Sequence, residues 1–326
     1  MERSVSSGVA AASARGLRLV AKAPYAGVAY APRLQLAADV SLDAAAAQIL
    51  GSCLDHFVSN WAALRESDAP ESVHQMRVAL RRLRACVGLL RPALRRNAFD
   101  QAALRAKNIA ATLGEARDLD VFRDNLVTRL RKPLQGEASF YALLDAVELR
   151  RLRAYEQARA TIADPATRQF VSELRAELAG MPGAGETAAP GSARKFAESA
   201  LQRLHKRARR KCAGLSELLP DARHNARIAL KKARYGAEFF ASLFDKRGRA
   251  RAYSRDLGML QDSLGADNDL ETAAHLLKRI EAEDGAERVA HAAAFVRGLR
   301  ARAQKRIAAR ARSDEATLRR MKVFWR

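Results

Sequence analysis

The sequence predicts an all-α protein made of two helical bundles of similar plan that face each other. Three observations carry this reading. Alanine, leucine, arginine and glutamate dominate the 326 residues, and all four favour helix. No stretch of alternating β-branched residues appears in the body of the chain. The chain also repeats itself. His74-Gln-Met-Arg77-Val-Ala-Leu-Arg81-Arg82-Leu-Arg84 aligns without a gap with His224-Asn-Ala-Arg227-Ile-Ala-Leu-Lys231-Lys232-Ala-Arg234. Downstream, Leu113-Gly114-Glu-Ala-Arg117-Asp118-Leu119-Asp120 aligns with Leu264-Gly265-Ala-Asp-Asn268-Asp269-Leu270-Glu271. Two shared motifs in one order, at nearly one separation, point to internal duplication.

Taken in order, residues 1–39 read as a disordered or extended tail, rich in alanine with scattered arginines. A transit peptide has the same composition and is the lesser reading. Ser41 or Asp43 caps a helix that runs to about Arg65. Pro70 and Ser72 open the next, which ends near Leu90 ahead of Pro92. Further helices are expected over 98–113, 118–132, 137–162 and 166–179. Residues 180–193, GMPGAGETAAPGSA, form the one clear low-complexity linker. Helices resume over 193–218, 221–244, 248–263, 268–284, 286–311 and 314–324. The repeated domain is thus expected over 40–312, with halves at about 40–179 and 194–312. Residues 313–326 are expected to form a separate C-terminal helix.

The formal net charge is +22 and the pI is near 10.8. Such an excess repels itself unless a partner neutralises it, so nucleic acid, an anionic membrane surface and polyphosphate are the candidate partners. The plain alternative is a well-solvated basic surface. Aromatic residues are only 6%, so no stacking platform for single-stranded bases is evident. Cys53, Cys86 and Cys212 are odd in number and far apart, with no metal-ligand spacing, which suits a reducing cytosol. No apolar run approaches a membrane span. No cofactor and no metal site are expected.

On a helix, motif offsets 0, 3, 7 and 10 fall within an arc of about 80°. His74, Arg77, Arg81 and Arg84 therefore share one stripe, as do His224, Arg227, Lys231 and Arg234. Met76, Leu80, Leu83 and Val87 fall on a neighbouring face that would pack inward. Arg82 and Lys232 lie off the stripe. From His74 to Arg96 there are seven arginines and no acid. Stacked like charges destabilise a helix, so the stripe makes sense against an anion or against acids from another helix. Arginine suits phosphate because its planar fork donates two parallel hydrogen bonds.

Arg207, Arg209, Arg210 and Lys211 precede the second motif. Arg150, Arg151 and Arg153 in the first half match Arg297, Arg300, Arg302, Lys305 and Arg306 in the second, which suggests a shared basic surface. The histidines have two readings, phosphate contact or structural packing. Nearby cations favour the neutral ring and a bound anion the charged one. The LGxx[RN]DL[DE] motif reads as architecture: Gly114 and Gly265 follow helix ends, and Asp118 and Asp269 cap the next helices. A secondary role for these carboxylates is to orient an arginine of the stripe.

The motifs VHQMRVALRRLRA at 73–85, LGEARDLDVF at 113–122, HNARIALKKARYGAEFF at 224–240 and LQDSLGADNDLE at 260–271 resemble the conserved-histidine α-helical domain (CHAD) family over nearly all of 40–312. The resemblance implies two facing four-helix bundles with pseudo-twofold symmetry. It also implies a basic central groove or channel that binds inorganic polyphosphate. Some members associate with polyphosphate or polyhydroxyalkanoate granules in bacteria, which implies a cytoplasmic place for this chain, on such granules in those cases. The implied contacts are His74, Arg77, Arg81, Arg84, His224, Arg227, Lys231 and Arg234. Arg82 and Lys232 match the motif, and Arg207, Arg210 and Lys211 join the candidates. Tyr235 ends the second motif where the first has Ala85, so an aromatic role stays open. Family members often carry a triphosphatase-type CYTH domain with an ExExK strand. None is found here, and the chain reads as the helical module alone.

Three functions compete. A polyphosphate-binding module fits best and needs no catalysis. A metal-dependent polyphosphate or triphosphate hydrolase would need clustered acids or an activated nucleophile. Asp118, Asp120, Asp269 and Glu271 are the only paired acids that recur, and capping accounts for them. Nucleic acid would be bound only nonspecifically, since no recognition motif is present.

Overall fold

A computed structural model describes residues 27–94, 96–181, 192–244 and 248–326. The described residues contain helices and connecting turns and no strand. The helices are α1 (Leu42–Val58), α2 (Trp61–Glu66), α3 (Pro70–Leu90), α4 (Asn97–Leu130), α5 (Ala138–Ala163) and α6 (Pro165–Ala179), followed by α7 (Ser192–Lys211), α8 (Pro220–Phe240), α9 (Arg249–Asp284) and α10 (Ala286–Arg320).

Local chemistry sets several boundaries. Ser41 Oγ accepts the Ala44 N–H at 3.1 Å and starts α1. The expected helix to Arg65 breaks at Ser59–Asn60. There the Asn60 amide donates to the carbonyls of His56 at 2.8 Å and Ala29 at 3.1 Å. Proline opens α3, α6 and α8, where its missing N–H costs nothing. Gly136 and Gly285 precede α5 and α10 with φ of 87° and 89°, a left-handed turn that glycine accepts most readily.

Three expected helix breaks are absent. α4 runs straight through Gly114, α9 through Gly265, and α10 through the gap expected after residue 311. The expected C-terminal helix is therefore the end of α10. Beyond Arg320 the chain leaves the helix and inserts Phe324 and Trp325 into the core. Their rings meet edge to face at 5.0 Å, and Tyr253 packs on Trp325 at 5.2 Å.

α1, α3, α4 and α5 each pack on the next, as do α7, α8, α9 and α10. Across the junction α1 touches α7, α3 touches α8, α4 touches α9 and α5 touches α10. One apolar core runs through the whole assembly, with Phe57, Phe99, Phe140, Phe170, Phe239 and Phe240 fully enclosed. Residues 27–40 form an extended strap. Leu36 and Val40 are buried, and the Leu36 N–H donates to Ser242 Oγ at 2.9 Å. The described part of the expected tail is thus docked against the second half. Residues 1–26 and most of the expected linker, 182–191, lie outside the described residues. All three cysteines are buried free thiols. No helix among the described residues is long and apolar enough to cross a membrane.

Trp325→Ala should cost about 3 kcal/mol in chemical denaturation, as truncation of a buried aromatic does. Exposed Lys322→Ala should stay within about 0.5 kcal/mol.

Candidate anion-binding site

The contact of α3 with α8 gathers cations from both motifs. Met76, Leu80, Leu83 and Val87 are buried, which turns the neighbouring stripe toward α8 and α4. Burial pushes the Lys231 ammonium down to about 7, and the guanidiniums of Arg227, Arg81, Arg234 and Arg77 push the same way. Burial lowers Arg77 to about 10; Arg81 adds to the fall and Asp118 opposes it. Arg227 is lowered by burial, with Asp269 opposing and Arg81 adding. The Nε–H groups of Arg77, Arg81 and Arg227 are buried and find no acceptor among the described residues. Such a cluster of half-buried positive charge with unused donors is costly unless an anion completes it.

The second motif builds cradles for two of these arginines. The Arg77 guanidinium lies over α4 and donates through Nη1 to the Ala110 carbonyl. A Cβ on Gly114 would sit 2.8 Å from that Nη1, so the bare glycine makes the space. Arg227 takes the matching place on α9, with Nη2 3.5 Å from a Cβ built on Gly265. Asp118 is raised by burial and held back by Arg77, while Asp269, raised by burial, is held back by Arg227. The helix-end and cap readings of this motif are therefore overturned, and its glycines instead leave room for the arginines. A mid-helix glycine costs about 1 kcal/mol, and here it admits a guanidinium. The side chain of Asn268 lies outside the described residues.

The last acid of each motif points elsewhere. Asp120 accepts from Arg151 Nε at 2.9 Å and from the Tyr155 hydroxyl at 2.8 Å. Glu271 accepts from Arg300 at 2.5 Å. Arg150 pairs with Glu283 at 2.5 Å and Asp284 at 2.6 Å, and Arg297 with Glu281 at 2.6 Å. Acids thus hold four arginines of the expected shared basic surface, while Arg153 and Arg302 are exposed. The side chains of Lys305 and Arg306 lie outside the described residues.

An open groove of about 690 Å³ runs between α3, α4 and α8. Among the described residues its cations are Arg81, Arg84, Arg91, Lys107, Lys231 and Lys232, and its one acid, Asp100, is paired with Arg91 at 3.2 Å. Lys232 is lowered by burial and by the nearby Arg207 and Arg84, which brings α7 to the edge of the groove. Arg82 is turned away: it is buried, donates to Glu238, and lies 5.0 Å over the Phe239 ring. Arg234 pairs with Glu238 at 3.2 Å and donates to Gln261 at 3.2 Å. His74 is half-buried and His224 exposed, so the matched histidines have unequal surroundings. Arg210 sits on another face of α7, with Lys206, Arg209 and Arg319 around a cavity of about 430 Å³, and Lys211 is exposed. Lys107 was not legible as a site residue, because α4 carries no motif there.

Residues 48–278, well over half of the chain, match the family model described as CHAD domain, and the chain belongs to that family. It is similar to the crystal structure of the CHAD domain from the plant Ricinus communis, at 28% identity and a TM-score of 0.74, covering 90% of this chain and 96% of that one. PptA from Streptomyces chartreusis shares the fold at 17% identity and a TM-score of 0.63, covering 85% of this chain and 99% of that one. No curated protein matches the sequence.

The two cradles should respond differently to a methyl group. Gly265→Ala meets only ordinary contact and should raise stability by up to about 1 kcal/mol through helix propensity. Gly114→Ala should forfeit that gain, because Arg77 has to leave its place. Parallel denaturation curves decide this.

Proposed function

We propose that this protein binds inorganic polyphosphate along the contact of α3 and α8 and does not break it down. The observation that carries this reading is the meeting of Arg77, Arg81, Arg227 and Lys231, all half-buried, at the contact of α3 and α8, where burial pushes the Lys231 ammonium down to about 7. An anionic chain laid against Arg77, Arg81, Arg84, Arg227, Lys231 and Lys232 would supply the missing charge. Each internal phosphate carries negative charge and offers oxygens for arginine forks, with no base to be read. His74 and His224 can donate to the same chain from the start of each stripe. Arg82 and Arg234 act as positioning residues through Glu238.

The wider picture is two facing bundles derived by duplication, with a basic groove between them. It is supported by the repeated motifs, by the contact of each helix with its counterpart, and by the matching pairs Asp120–Arg151 and Glu271–Arg300. Recruitment to polyphosphate or polyhydroxyalkanoate granules is a further consequence, supported by family resemblance alone. Phosphate release from the pure protein with magnesium or manganese would instead favour the hydrolase reading.

At physiological salt, long-chain polyphosphate should bind selectively over heparin and duplex DNA. Arg81→Ala/Lys231→Ala should weaken it about tenfold or more, since each change removes a charge-assisted contact. Equal binding of all three polyanions would sink the proposal. Binding should also take up a proton. The free ammonium titrates near 7 and a bound phosphate favours its charged form, so affinity should rise as pH falls from 9 and level off below about 6. Calorimetry across that range should show the rise, and Lys231→Arg should flatten it.

A further inference from the structure

Inorganic polyphosphate accounts for the cations of the groove and leaves its apolar lining unexplained. Leu104 on α4 is 51% exposed and Ile228 on α8 is 37% exposed. Single exposed aliphatic side chains are ordinary on a protein surface. These two come from different helices and line the same cationic groove, with Ala85, Ala103 and Gly88 between the charged residues. Gly88 is exposed, and a Cβ built on it would meet nothing within 4 Å, so the floor there is bare backbone beside open space. Each apolar residue stands one helical turn from a cation: Leu104 from Lys107, and Ile228 from Lys231 and Lys232.

The size of the groove selects among occupants. A volume of about 690 Å³ lies in the range of small-ligand sites, roughly 300–1,000 Å³. An α-helix with its side chains is about 10–12 Å across and would need a longer trough. The surrounding charge calls for several negative groups close together. Tyr235 also lines the groove, but it is only 3% exposed and is stacked on Phe239, with Arg234 and Arg82 over its ring at 5.1 and 5.7 Å. Its ring is therefore not free to stack on a ligand, and any flat group must rest on the aliphatic pair.

We propose that the groove takes a phosphate chain ending in a flat organic group, a nucleoside polyphosphate, with the phosphates on Arg81, Arg84, Lys231 and Lys232 and the base against Leu104 and Ile228. This rests on the phosphate-chain reading above and extends it to a class of ligand with an apolar end. Binding covers the two exposed side chains, a gain that an inorganic chain cannot make.

The test compares adenosine 5′-tetraphosphate with inorganic tripolyphosphate, which carry the same charge when fully ionised. Titration calorimetry at pH 8 and physiological salt reads both affinities. The adenosine compound should bind about fivefold tighter or more. Leu104→Ser/Ile228→Ser changes exposed positions and should fold normally. It should shrink the difference below about twofold and leave the tripolyphosphate affinity unchanged. Equal affinities in the unaltered protein, or a difference that survives in the double variant, would overturn the inference. Tripolyphosphate binding that is indifferent to Arg81→Ala/Lys231→Ala would overturn the phosphate reading itself, a separate result in the same series.

Discussion

Like charges packed at the contact of α3 and α8 are the constraint around which the rest of the protein is arranged. Helices that present arginine and lysine to each other repel, and burial raises the cost by removing solvent. The contact is held from behind. Met76, Leu80 and Leu83 on α3, and Ala226, Ala229, Leu230 and Ala233 on α8, are buried in the common core. It is also held by the ion pair of Arg82 with Glu238, which joins α3 to α8 under the rings of Phe239 and Tyr235. The stabilising groups sit on one side of the two helices and the destabilising ones on the other, so the apolar core offsets the repulsion and leaves the cations facing outward.

The acids of the repeated motif divide their work. The charges of Asp118 and Asp269 act on Arg77 and Arg227, opposing the fall that burial causes, without cancelling the cluster. Asp120 and Glu271 reach the other way, to Arg151 and Arg300. Among the described residues, acids hold Arg150, Arg151, Arg297 and Arg300 on α5 and α10, while no ion pair reaches Arg81, Arg84 or Lys231 on α3 and α8. The position of an excess charge, more than its total, makes a candidate anion site, and here that position is set by which arginines are given an acid.

Most of the helices were legible in the sequence. Proline and serine starts, apolar periodicity and the gapless repeat placed α3 at its observed bounds and α8 to within four residues of its end, while Arg234 of the expected stripe pairs with Glu238. The motif around Gly114 and Gly265 misled for a physical reason. A glycine after a helical run has the same local signature whether it ends the helix or leaves room for a neighbour's side chain. The neighbour, Arg77, lies on another helix, and no pattern within α4 registers it. The arginines of α5 and α10 misled in the same way, since their partners Glu283, Asp284 and Glu271 lie far along the chain.

By itself the sequence determined that the chain is helical, that it repeats, and that each repeat carries a basic stripe beside an apolar one. These are properties of one helix at a time, written in the period of its residues. The tertiary structure alone decided that the two stripes meet, that Arg82 turns inward while Arg81 stays at the groove, that Lys107 and Ile228 join it, and that burial pushes the Lys231 ammonium down. Those outcomes depend on distances between helices and on what burial removes from water, and neither is carried by local sequence.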